Sequence, residues 1–208
     1  MTVDLDAQVR AADLDRWLAS RFVADEQARA DLIALYAFEA ELMAIPTRVT
    51  QPLLAEMRYA WWAEQMDGAF SDTPRRGHPV LEALTAAVTR HGLERAPFDA
   101  LIEAHIGRVH GAPHDLDAFY VGPMQATVRI LVGEGHDAAA GAAGRVRGLA
   151  QTGQVDQARA ARSEANRALR KLPPAAFPAV ASAVLIKPDE PEPFKRLRLF
   201  WSVLRGRI

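Results

Sequence analysis

Two carboxylates four residues apart are the simplest sequence device for divalent-metal chemistry. On a helix they share one face, where they can hold Mg²⁺ against the oxygens of a substrate diphosphate. In this chain only Asp99 and Glu103 have that spacing, and no two aspartates do. Two solvated acids on an amphipathic helix are the commoner meaning of such a pair. Asp156 has Thr152 and Ala160 four residues away, so it stands alone. Among the histidines, His110 and His114 are four apart, but Gly111 and Pro113 lie between them and oppose a continuous helix. His105 falls five residues earlier, on another face, and no third zinc ligand is in register. Loop and surface positions account for these histidines. With no cysteine there is no thiolate metal site, redox CxxC or disulfide, which fits a reducing compartment. GEGHDAAAG at residues 133–141 follows no strand and is weak as a phosphate loop.

The elements that must position these groups are helices. Apolar residues recur at helical period along the chain and no stretch alternates as a strand does, which predicts eight to ten helices in a single all-α domain, residues 1–208. Residues 13–22 and 25–44 form the first pair, the second opening on Asp25 and Glu26. Pro52, Pro79 and Pro97 each suit a first helical turn, and His91-Gly92 suits an end. Residues 71–78 read as a loop, and Gly122-Pro123 should break or kink the helix at 115–132. Helices at 136–151 and 155–172 follow, the second rich in arginine and stopped by Pro173-Pro174. KPDEPEP at 187–193 reads as a stiff polar linker.

A basic amphipathic helix closes the chain at about residues 194–206. Phe194, Leu197, Trp201, Leu204 and Ile208 recur at spacings of three and four as one apolar stripe. Lys195, Arg196, Arg198, Arg205 and Arg207 fill much of the remainder. The expected use of the stripe is packing onto the domain's own core. The alternative is a membrane or partner surface carried by Lys195, Arg196, Arg198, Trp201 and Arg205, since amphipathicity serves a bilayer as well as a core.

Half of the residues are apolar, enough for one substantial core, and the formal charge of −1 offers no polycation for nucleic acid. MTVDLDAQVR lacks an apolar signal core, and no run of about twenty apolar residues follows. The expectation is a cytoplasmic protein, with peripheral contact to the inner membrane as an option.

The most informative stretch is residues 32–70, LIALYAFEAELMAIPTRVTQPLLAEMRYAWWAEQMDGAF. It resembles the opening helices of the squalene/phytoene synthase family of head-to-head prenyl transferases, helical bundles of the isoprenoid synthase type. In active members an ALYAF-like run continues into a DxxxD motif that binds Mg²⁺ and a prenyl diphosphate. Here ALYAF is intact at residues 34–38, but the two aspartate positions, counted without a gap, hold Met43 and Thr47. Neither ligates Mg²⁺ as a carboxylate. Pro46 between them removes a backbone donor and should end or kink the helix. Trp62 fits the family's tryptophan, although the basic residue that often follows it is Ala63. HPVLEAL (78–84), HGLERAPFDALIEA (91–104) and DLDAFYVGPMQATVRIL (115–131) resemble successive family helices. The second aspartate motif should follow the Gly-rich run at 141–151; instead an Ala/Arg-rich helix begins, as if the fold were shortened there.

Within the family the chain looks closest to the branch without acidic motifs, which includes a mitochondrial respiratory complex I assembly factor. The resemblance implies a catalytically degenerate interaction, assembly or lipid-binding protein without a cofactor. Its partner would be a protein, or its ligand an isoprenoid or other lipid. Tyr36, Phe38, Tyr59 and Trp62 are candidates for lining a lipid cavity, although ordinary core packing explains them more simply. Arg48 and Arg58 are candidate anion contacts. The alternative is an active Mg²⁺-dependent prenyl transferase condensing two isoprenoid diphosphates. It would need Asp99, Glu103 or Asp156 to converge in one cavity.

Overall fold

Aspartates open the first three helices. The carboxylate of Asp4 accepts the backbone N–H groups of Asp6 and Ala7 at the start of α1 (Leu5–Ala12). Asp13 accepts that of Arg16 at α2 (Leu14–Ser20), and Asp25 that of Ala28 at α3 (Glu26–Arg48). Each satisfies donors that the first helical turn leaves free. The computed structural model describes residues 4–71, 76–187 and 190–208, so the expected loop at 71–78 and linker at 187–193 lie partly outside the described residues.

Contrary to the sequence expectation, α3 does not end at Pro46 but runs on to Arg48. A proline leaves the carbonyl four residues earlier without its helical donor. That carbonyl belongs to Leu42, and the buried hydroxyl of Tyr59 supplies the missing donor at 3.2 Å. Prolines do open α4 (Pro52–Ala69) and α5 (Pro79–His91), and Gly92, with φ of 57°, closes α5 in the left-handed region.

After α6 (Ala96–Val109) the chain reaches Gly122-Pro123, where the expected break is a widening instead. Residues Asp117–Val121 form a π-helical turn in which the Gly122 N–H bonds the Asp117 carbonyl, and α7 (Gly122–Val132) continues from it. The turn packs against α8 (Asp137–Gln151), whose glycines permit very close approach. A Cβ on Gly144 would lie 2.5 Å from the Tyr120 carbonyl oxygen, and one on Gly148 would lie 2.7 Å from the Tyr120 ring. The Gly-rich run thus brings the neighbouring Arg147 close to Tyr120.

Then follow α9 (Val155–Leu169), the short α10 (Phe177–Ala181) and α11 (Glu192–Arg205). Among the described residues there are eleven α-helices and no strand. One apolar cluster joins α3 to α7, and a second gathers α2, α7, α8, α10 and α11. No described helix is long and apolar enough to cross a membrane.

Candidate functional site

A cavity of about 530 Å³ lies where α2, α3, α6, α7, α8 and the first turn of α11 meet. Its volume falls in the range of small-molecule sites. Met43, Pro46, Leu101, Phe119, Pro123 and Met124 supply apolar wall, whereas Asp13, Arg16, Glu39 and Arg147 supply a charged cluster.

Three elements of the fold, α2 with its cap, α3 and α8, build that cluster. Arg16 donates through Nε to Asp13 at 2.7 Å and through Nη1 to both carboxylate oxygens of Glu39 at 2.8 Å. Arg147 donates through Nη2 to Asp13 at 2.8 Å. The Arg16 guanidinium also lies 4.4 Å above the Tyr36 ring. Burial pushes the Asp13 carboxyl up, but Arg147 and Arg16 outweigh it and hold it well below the usual carboxylate range. Burial raises the phenol of Tyr36. Two acids face two arginines, but the balance is not saturated: Nη1 of Arg147 is buried without a hydrogen-bond partner among the described residues. At the rim, Lys195 Nζ bonds Asp15 at 2.8 Å.

On the α6 side, His105 is buried, stacked on Tyr59 and edge-on to Phe119. Burial, with the nearby His114, pulls its pKa down to about 4, so it is neutral near pH 7. His114 stacks on Phe119, with ring centroids 4.3 Å apart, and burial lowers its pKa as well.

Residues that sequence reasoning singled out are dispersed. Met43 lines the cavity at its exposed edge, and Thr47 turns back to bond the Ala44 carbonyl. Asp99 pairs with Arg95 and Asp156 with Arg159, Glu103 is exposed, and none of the three acids lines the cavity. Tyr36, Phe38, Tyr59 and Trp62 are all buried in the packed core, and none of the four is a wall of this cavity. Arg48 is exposed and paired with Glu41, and Arg58 is exposed; neither faces the cavity.

The last helix departs most from its expected placement. Lys195, expected on the surface, is buried, and with Leu199 and Ser202 it forms the inward face of α11. Ile208 is also buried, but Phe194, Leu197, Trp201 and Leu204, expected to pack inward with it, are exposed. The Lys195–Asp15 ion pair fixes this rotation. Arg196 pairs with Glu192, Arg198 with Glu190, and Arg205 lies over the Trp201 ring.

The cavity does not offer the donor set that Mg²⁺ prefers. Free carboxylates are needed for that ion, yet Asp13, Asp15 and Glu39 are each engaged by a cationic side chain. Among the described residues no group of three His, Asp or Glu side chains could hold a metal ion. The arginine–carboxylate cluster was invisible to sequence reasoning, because Asp13 and Arg147 lie 134 residues apart. Its one local signal is an arginine inside the Gly-rich run.

Comparisons with known proteins align with this architecture. Residues 9–120 match the family model for squalene/phytoene synthase. Over 87 residues the chain is 33% identical to NADH dehydrogenase (ubiquinone) complex I, assembly factor 6, of Bos taurus. That stretch is 42% of this chain and 26% of the bovine protein, so the chain matches about a quarter of its relative's length. The crystal structure of squalene synthase HpnC from Alicyclobacillus acidocaldarius is similar with a TM-score of 0.70, over 97% of this chain and 92% of that one. At 15% identity this likeness concerns the fold alone.

Proposed function

Because this chain belongs to the squalene/phytoene synthase family, we propose that it is a non-catalytic member, an interaction and assembly protein whose cavity takes an apolar ligand with an anionic head. The observation that carries this reading is the engagement of cavity acids by cations: Asp13 by Arg16 and Arg147, Glu39 by Arg16, and Asp15 by Lys195. Carboxylates bound in this way are poor Mg²⁺ ligands, and ionising an allylic diphosphate in this family's manner requires the metal. The unpaired Nη1 of Arg147 supports a direct contact to a carboxylate or phosphate instead.

Two further observations support an interaction role. The bovine relative's name describes an assembly factor of complex I. On α4, Leu53, Met57 and Trp61 recur every four residues and stand 67%, 60% and 41% exposed, an apolar face outside the core. The test is deletion of the gene in its native host, with the assembled respiratory NADH dehydrogenase followed by native electrophoresis. Loss of the assembled enzyme, restored by the wild type, is the expected result. Undiminished assembly in the deletion strain would overturn the assembly reading.

A further inference from the structure

From the outward face of α11 we infer a docking site for an anionic lipid bilayer, with the helix lying in the plane of the membrane surface. The inference is independent of the non-catalytic reading, since it uses none of the cavity groups. Phe194, Leu197, Phe200, Trp201 and Leu204 are 59%, 53%, 48%, 43% and 63% exposed. Single exposed apolar side chains are ordinary, but five on one helix face make a contiguous patch. At 3.6 residues per turn these five centre on the direction opposite Lys195, Leu199 and Ser202, the residues that α11 buries. The stripe therefore faces away from the core.

Charge selects the occupant. Lys195 turns inward to Asp15, but Arg196, Arg198, Arg205 and Arg207 are exposed, and only Glu192 and Glu190 pair with the first two, so four arginines stand against two acids here in a chain whose formal charge is −1. Arg196 falls on one flank of the stripe, and Arg198 and Arg205 fall on the other. This arrangement lets guanidinium groups reach phosphate headgroups while the rings enter the acyl boundary. Trp201, with the Arg205 guanidinium 4.8 Å from its ring, is an amphipathic anchor suited to that boundary. A protein partner with an acidic apolar groove would match the same charges, but the straight flanked stripe fits a planar anionic surface without shape complementarity. Lys195 both lines the cavity and belongs to α11, so docking would hold the cavity's edge near the bilayer.

The test is flotation of the purified full chain with vesicles of phosphatidylcholine plus phosphatidylglycerol, against vesicles of phosphatidylcholine alone. Binding to the anionic vesicles that weakens with added salt is expected. Two triple variants should each reduce it by more than about tenfold: Phe200→Ser/Trp201→Ser/Leu204→Ser by removing the apolar insertion, and Arg196→Gln/Arg198→Gln/Arg205→Gln by removing headgroup contacts. Because the replaced side chains are exposed, thermal melts should confirm that both variants fold. No binding to the anionic vesicles would overturn the inference, as would equal binding to neutral vesicles. So would a dimer of the free protein that the Ser variant dissociates, because the stripe would then cover a second copy.

Discussion

Tyr59 donates its hydroxyl to the carbonyl oxygen of Leu42 at 3.2 Å, the acceptor that Pro46 strips of its helical donor four residues later. The bond lets α3 pass through a proline without leaving that carbonyl unpaired. It also ties α4 to α3 and sets Tyr59 against His105, whose Nδ1 is 3.4 Å from the same hydroxyl.

Removing that hydroxyl by Tyr59→Phe leaves a buried carbonyl unpaired and should cost about 1–3 kcal/mol. Urea unfolding measures this as a lower midpoint. In a Pro46→Ala background the ordinary helical bond returns, so the same substitution should cost clearly less. Equal cost in both backgrounds would disconnect Tyr59 from Pro46.

Breaking the cavity cluster should be expensive. Arg147→Met leaves Asp13 with one arginine instead of two in a confined site, at a cost of about 3 kcal/mol. The folded pKa of Asp13 is lowered, so its contribution is full above the unfolded carboxylate value, about 3.9, and is lost as pH falls below it. Stability measured from pH 6 to pH 2 should therefore decline less steeply in Arg147→Met than in the wild type.

His105 acts in a higher pH window. Its folded pKa of about 4 lies below the ordinary histidine value of 6.5, so the unfolded chain takes up a proton first as pH falls between them. Stability should drop through that window by about 3 kcal/mol. His105→Phe, which keeps a ring for Tyr59 and Phe119, should remove most of this drop while leaving stability at pH 8 little changed. A wild-type stability that is flat from pH 7 to pH 4 would contradict the assignment.

Gly144→Ala places a methyl group 2.5 Å from the Tyr120 carbonyl oxygen, a backbone atom that cannot move alone. The expected loss is about 2 kcal/mol or more. Gly141→Ala meets only side-chain atoms, at 3.2 and 3.3 Å, and should cost less in the same thermal melts.

Helix order is legible in the sequence because proline and glycine punctuate it at Pro52, Pro79 and Gly92, and because ALYAF and later segments keep the order of a known bundle. Rotation about a helix axis is less legible. The stripe through Phe194, Leu197, Trp201 and Leu204 has the periodicity of a core face, yet the buried Lys195–Asp15 pair turns it outward. Ring type alone could not distinguish cavity wall from core for Tyr36, Phe38, Tyr59 and Trp62. The arginine–carboxylate cluster was hidden because Glu39 and Arg147 come from elements distant from Asp13 and Arg16, and the three-residue spacing of that last pair reads only as a helix cap.

The non-catalytic reading is tested most directly by calorimetric titration with farnesyl and geranylgeranyl diphosphate, each with and without Mg²⁺, alongside an assay for released diphosphate. The account predicts that Mg²⁺ does not tighten binding of either compound and that no diphosphate is released. Saturable binding that strengthens with Mg²⁺, accompanied by diphosphate release, would contradict it.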